Sequence, residues 1–240
     1  MLLEVKGLTK NFAGLTAVRS VDLHVKKGEI LGLIGPNGAG KTTIFSMISG
    51  FLRPTKGDIF FKGQKITGLS PPRICHLGVT RTFQLVKPLT QLTVLENVMV
   101  GVFAKVTDTE GARKEAAKIL EFTGQLHQKE VKAGSLPLGD RKRLEISRAL
   151  GTRPDVLLLD ECMSGLNPHE ISEAIQLIGK IREKGVTLIV IEHVMKAIMS
   201  VSDRIVVINH GEKIMEGTPE QVANDPEVIK AYLGVDYAKR

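Results

Sequence analysis

Residues 35–43, Gly35-Pro36-Asn37-Gly38-Ala39-Gly40-Lys41-Thr42-Thr43, fit the pattern GxxxxGK(S/T). Glycines at these positions let the backbone come close to a ligand, so that successive N–H groups converge on phosphate oxygens and the following helix adds the positive end of its dipole. Lys41 is then expected to reach the β and γ phosphates of a nucleotide, and Thr42 to ligate Mg²⁺. The motif requires a buried strand before it and a helix after it. The apolar run Ile30 to Ile34 and the helical pattern Lys41 to Ser49 supply both.

A second pair of reactive residues ends another apolar run, Val156-Leu157-Leu158-Leu159-Asp160-Glu161. A carboxylate at the end of a buried strand is costly without a cation, and Mg²⁺ near Thr42 would compensate Asp160. Glu161 is placed to polarise a water in line with the γ-phosphate, a role worth about 10²–10⁴ in rate. A third run, Val186 to Ile191, ends in Glu192-His193. His193 is expected to contact the γ-phosphate or the attacking water, with a structural histidine as the alternative.

The elements that must hold these groups follow from periodicity. Val21 to Lys26 alternates apolar and polar as a strand with one wet face does. Helical patterns at Lys41–Ser49, Gly111–Phe122, Arg141–Leu150 and His169–Glu183 lie among the buried runs, which argues for a parallel sheet covered on both faces. Ligands in such folds bind beyond the carboxyl ends of the strands. Residues 88–150 break the alternation and read as a helical subdomain inserted into an α/β core of 1–87 and 151–240, all within one domain. Thr218-Pro219-Glu220 marks another helix start.

The 240 residues carry 33 Lys plus Arg against 26 Asp plus Glu, a net charge of +7. Aromatic residues are 4% with no Trp, and none alternates with basic residues, so the excess is not a nucleic-acid platform. The basic clusters are Lys26-Lys27 and Arg141-Lys142-Arg143, the latter partly offset by Glu145. The longest uncharged stretches are too short and too interrupted to span a bilayer. Glu4, Lys6 and Lys10 leave no room for a secretory signal. The expected address is the cytoplasm, where Cys75 and Cys162 remain free thiols.

Together with Gln84 after Thr82-Phe83 and the stretch Leu136 to Leu150, these motifs resemble the ATP-binding cassette (ABC) ATPases over essentially the whole chain. The resemblance implies an α/β P-loop NTPase core with a mainly parallel sheet, N-terminal antiparallel strands and an inserted helical subdomain. It assigns Phe12 to stacking on adenine and Gln84 to linking the Mg²⁺ site to a transmembrane partner. It makes Leu136-Pro137-Leu138-Gly139-Asp140 the signature segment, Ser164-Gly165-Leu166-Asn167 the loop after the catalytic Glu161, and His193 the switch histidine. Within the family, Arg81-Thr82-Phe83-Gln84, Ile191-Glu192-His193, Glu216-Gly217-Thr218-Pro219 and Ala231-Tyr232-Leu233-Gly234 look most like the ATPase subunits of branched-chain amino-acid importers. Urea or amide importers and a lipopolysaccharide exporter have similar ATPases, and a soluble non-transport ABC protein is the remaining alternative. The partners implied are transmembrane permease subunits, a second ATPase subunit in a head-to-tail dimer and, indirectly, a periplasmic or extracellular solute-binding protein. The chain would then lie on the inner face of the cell membrane.

Two departures from the family pattern stand out. The signature usually reads LSGGQ, and here Pro137 stands at the serine, Leu138 at a glycine and Asp140 at the glutamine. Pro137 replaces a serine that would donate to ATP held by the opposite subunit, and proline has neither hydroxyl nor N–H. A heterodimer is therefore expected, in which the partner supplies an ordinary signature to this chain's nucleotide. Cys162 stands where the family usually has proline, leaving a thiol near the nucleotide.

Overall fold

The computed structural model describes residues 1–83 and 88–233. The chain opens with β1 (Leu3–Phe12), β2 (Leu15–Val25) and β3 (Ile30–Ile34), followed by α1 (Lys41–Ile48), β4 (Lys56–Phe61), β5 (Gln64–Lys65), α2 (Pro71–Leu77) and β6 (Val79–Arg81). A helical stretch follows, α3 (Val94–Val102), α4 (Thr109–Phe122) and α5 (Leu138–Gly151), with two 3-10 turns between α4 and α5. The chain then runs through β7 (Val156–Asp160), α6 (Pro168–Glu183), β8 (Thr187–Ile191), α7 (Met195–Val201), β9 (Arg204–Asn209), β10 (Glu212–Gly217), α8 (Pro219–Ala223) and α9 (Pro226–Leu233).

The strands form two sheets, an antiparallel one in the order β2-β1-β4-β5 and a larger one in the order β10-β9-β3-β8-β7-β6. Every neighbour pair of the larger sheet is parallel except β9 with β10. The alternating strand Val21 to Lys26 is the second half of the longer β2, whose partner β1 shares its antiparallel register.

Burial explains the unbroken apolar runs. In β3, Leu31 and Leu33 face the antiparallel sheet and α1, while Ile30 and Ile34 face α6 and α7. The strands β7 and β8 divide in the same way, so both faces are covered and no polar alternation survives. The helices α3, α4 and α5 share a separate apolar cluster, including Val98, Leu120 and Leu144. Helix starts are capped by sequence: Thr93 with Glu96, Asn167 with Glu170 and Thr218 with Gln221 each form a capping box. Among the described residues no helix is long and apolar enough to cross a membrane.

Candidate active site

The parallel register brings three reactive segments to one edge of the sheet. β3 is paired with β8 at Leu33 and Ile191, and β8 with β7 at Ile191 and Asp160. The loop after β3, the pair Asp160-Glu161 and the pair Glu192-His193 therefore leave neighbouring strands at the same level. An open cleft of about 610 Å³ lies there, lined by Ala17, Asn37 to Thr43, Glu161 and His193. That volume is in the range of small-ligand pockets.

The loop needs its glycines for space. Gly40 has φ 106°, and a Cβ there would stand 2.6 Å from the Ala17 carbonyl oxygen. A Cβ on Gly35 would stand 2.0 Å from the Ile208 carbonyl oxygen. Lys41 is buried, its Nζ donating to the carbonyls of Gly35 at 2.6 Å and Pro36 at 2.9 Å. Burial lowers its pKa, while the nearby charges of Glu161 and Asp160 act in the opposite direction. The ammonium is thus folded onto the loop that it would leave to meet phosphate.

Glu161 is held from several sides. Its φ is 51°, its N–H donates to the Ile191 carbonyl at 2.9 Å, and its own carbonyl accepts from the buried Lys142 Nζ at 2.7 Å. Its Oε1 lies 2.6 Å from His193 Nε2. A carboxylate and an imidazole on the rim of a phosphate-sized cleft form a pair able to position water and move a proton.

Asp160 is fully buried, and the cation it meets is Arg81, whose Nη2 donates to Oδ2 at 2.6 Å. The sequence placed only Mg²⁺ beside this carboxylate; the chain supplies a partner of its own. Burial raises the Asp160 pKa, and the hydrogen bond and charge of Arg81 oppose that shift. Its Oδ1 is buried without a hydrogen-bond partner among the described residues. An orphaned carboxylate oxygen next to a phosphate loop suits a hard divalent cation, so the residues present fit Mg²⁺.

Other expected residues lie apart from the cleft. Phe12 is exposed at the tip of the β1–β2 hairpin with Lys10 Nζ over its ring, and the cleft reaches β2 only at Ala17. Gln84 lies outside the described residues. Leu136 is buried among α3, α4 and α5, while Pro137 is the N-cap of α5 and makes no side-chain cap bond. Gly139 packs on Glu170, and a Cβ on Gly165 would lie 3.2 Å from Leu138, so the signature and the 164–167 loop are neighbours. The thiol of Cys162 does not line the cleft. It is buried in the core cluster beside Ile146 and Leu177, where burial and the Glu192 carboxylate push its pKa well up.

Sequence reasoning missed several supporting groups. In the run Arg141-Lys142-Arg143, Arg141 donates to the Leu136 and Gly134 carbonyls and Arg143 pairs with Glu173. Glu145, whose pKa is raised by burial, accepts the Phe83 N–H at 2.7 Å. From α9, burial pushes the Tyr232 hydroxyl up to about 12, against the opposing effect of a hydrogen bond to the Gly35 backbone.

A glycine-rich loop between a buried strand and a helix, with an acid pair and a histidine on adjoining strand ends, defines a P-loop nucleoside-triphosphatase. Residues 18–164 match the family described as ABC transporter, and residues 212–238 match one described as branched-chain amino acid ATP-binding cassette transporter. The chain belongs to the ABC transporter family, as an ATP-binding subunit that hydrolyses ATP. It is 44% identical to the high-affinity branched-chain amino acid transport ATP-binding protein LivG of Escherichia coli K12, over 97% of this chain and 98% of that protein. It is 43% identical to BraF, which carries the same description, of Pseudomonas aeruginosa, over 97% and 98%. A crystal structure of a nucleotide-free ATP-binding cassette from an ABC transporter superposes with TM-score 0.89 at 32% identity, covering 97% of this chain and 99% of that one. A dimeric cassette in a post-hydrolysis state with ADP and Pi superposes with TM-score 0.83 at 26% identity, over 90% and 98%.

Proposed function

We propose that this chain powers an importer of branched-chain amino acids, docked on permease subunits at the inner face of the membrane and served by an external solute-binding protein. The observation that carries the solute class is the C-terminal segment 212–238, which matches a family described by that substrate, together with relatives of the same description along the whole chain. Residues 1–87 and 151–240 act as the nucleotide-binding core and 88–150 as the helical subdomain that carries the signature.

In the cleft, residues 35–43 hold the phosphates of ATP, with Lys41 leaving its carbonyl partners for the β and γ oxygens. Phe12 stacks on the adenine. Glu161 accepts a proton from the attacking water, and His193, already hydrogen-bonded to it, orients that water or the γ-phosphate. Thr42, Asp160 and Gln84 would hold Mg²⁺, which when bound withdraws charge from the phosphate oxygens. Among the described residues no three His, Cys, Asp or Glu side chains gather into a cage. A cation here would accordingly draw its remaining ligands from phosphate and water.

The test is to co-express the chain with its permease subunits, purify the complex in detergent and measure ATP turnover in lipid. Stimulation by a solute-binding protein loaded with leucine, isoleucine or valine is expected. Stimulation by a urea or amide receptor, or recovery with ribosomes or DNA in place of membrane subunits, would redirect the reading.

Pro137 supports a second element, a heterodimer in which another ATPase subunit supplies the signature facing this chain's nucleotide. Pro137→Ser in the purified chain alone should raise homodimer turnover. If it does not, the signature defect is not limiting and the heterodimer loses its support.

A further inference from the structure

The motif Arg81-Thr82-Phe83 plays no part in the nucleotide chemistry described above, yet its first residue joins the two segments that would hold the cation. Arg81 ends β6 with its side chain 6% exposed. One arm of the guanidinium, Nη2, donates to Asp160 Oδ2 at 2.6 Å. The other, Nη1, donates to Ser46 Oγ at 2.8 Å, and Ser46 Oγ donates in turn to the Thr42 carbonyl at 2.8 Å. The guanidinium carbon lies 5.8 Å from the centroid of the Phe45 ring and 5.3 Å from that of Phe83. Phe83 is covered edge-on by Phe51 at 5.3 Å.

We propose that Arg81 is a positioning residue for the metal-nucleotide complex: it fixes the Asp160 carboxylate through Oδ2, leaves Oδ1 for the cation, and ties that carboxylate to the turn of α1 bearing Thr42. The inference rests on the reading of Thr42 and Asp160 as metal-holding residues. Three features of the geometry demand arginine. The planar fork reaches two acceptors in different directions, its faces accept aromatic rings, and its weak hydration tolerates the burial. A lysine at 81 keeps the charge beside Asp160 but loses the fork, so the carboxylate is free to turn and the link to Ser46 disappears. Groups that orient a metal ligand through a hydrogen bond typically change metal affinity by about 10–100-fold when removed.

The test uses the full chain and a fluorescent ATP analogue, titrated with nucleotide in EDTA and then with Mg²⁺ at saturating nucleotide. Arg81→Lys should bind the analogue in EDTA as the parent does, while its Mg²⁺ half-saturation rises by about tenfold or more. Ser46→Ala, which leaves the ion pair intact and cuts only the link to α1, should raise the Mg²⁺ half-saturation less, by roughly two- to threefold, and guards against a folding defect in the first variant. Turnover should show the same pattern as a raised Mg²⁺ requirement with kcat largely recovered at high Mg²⁺. If both variants keep the parental Mg²⁺ half-saturation while Asp160→Asn loses the Mg²⁺ response, Arg81 has no positioning role and the metal site stands. If Asp160→Asn also responds to Mg²⁺ as the parent does, the metal reading itself fails.

Discussion

At the phosphate-loop cleft, the groups that would do chemistry are held by neighbouring atoms and still face an opening: Lys41 by the Gly35 and Pro36 carbonyls, Glu161 by Ile191, Lys142 and His193. On the signature face the polar side chains are engaged by other groups of the same chain. Asp140 accepts from Gln128, Arg141 donates to Leu136 and Gly134, and Asn167 caps α6 with Glu170. The N-cap of α5, Pro137, offers no donor at all. One region is built to receive a nucleotide, and the other to hold a backbone shape. If the proposed roles hold, the contrast makes binding and turnover separable, with binding tested at the loop and turnover at the groups around Glu161.

The largest effect that separates the two is expected from Glu161→Gln. Turnover should fall by about 10²–10⁴, the range for loss of a positioned general base, while nucleotide affinity measured by an ATP-dependent melting shift is retained. Hydrolysis at the parental rate would place the base elsewhere. Lys41→Ala acts on the other half of the separation. The melting shift with ATP should disappear if the Lys41 ammonium neutralises phosphate as proposed; a full shift would show that the backbone cradle alone suffices.

Next in size is Lys142→Met, which tests whether α5 bridges the two regions. This helix carries the signature residues at its start, yet one turn on it donates to the Glu161 carbonyl and then accepts the Phe83 N–H through Glu145. Methionine keeps most of the buried volume and leaves that carbonyl only the Ser164 N–H at 3.3 Å, so that what is lost is a bond to a charged donor, about 1.5–3 kcal/mol. Turnover is expected to drop by roughly tenfold with little change in nucleotide affinity, because the lost bond holds the backbone of Glu161, the proposed base. Equal losses in affinity and turnover would mean that the cleft as a whole has collapsed.

How much of this was legible in the sequence follows from the range over which each feature is encoded. The phosphate loop, the acid pair and the histidine are local patterns at strand ends, and the family motifs place them. The N-cap at Thr218 and the helices α1, α4 and α6 were readable for the same reason. α3 was not, because it is buried on nearly every side and shows no polar stripe. The partner of Asp160 lies 79 residues away, on a strand of three residues too short to be recognised by pattern. The physical demand for a cation beside Asp160 was readable, but its identity as Arg81 required the register of β6 against β7. The role of Lys142 was missed for a related reason. A run of three basic residues looks like a solvated face until the helix phase shows that each turns to a different acceptor.

The smallest expected effect concerns a buried acid under the loop that follows β7. Glu192 is fully buried at the end of β8, and its Oε1 accepts the Met163 N–H at 2.6 Å. Burial raises its pKa above the ordinary 4.5, more than the Met163 hydrogen bond and the charge of Lys142 lower it. Between the unfolded and folded values the folded chain therefore binds the extra proton. Stability falls as pH rises from 4.5 through the folded pKa, and above it the loss remains. Glu192→Gln has no charge to bury, and its amide oxygen still accepts the same N–H. The variant should melt higher than the parent at pH 8, by roughly 2–4 °C for each kcal/mol regained at this chain length. The gap should close as the pH approaches 4, where the parent carboxyl is neutral in both states. Melting curves for both proteins across that range decide it: a pH-independent gap would mean that packing, and not a buried charge, separates the glutamate from the glutamine, and that the acid beneath that loop adds no pH dependence to it.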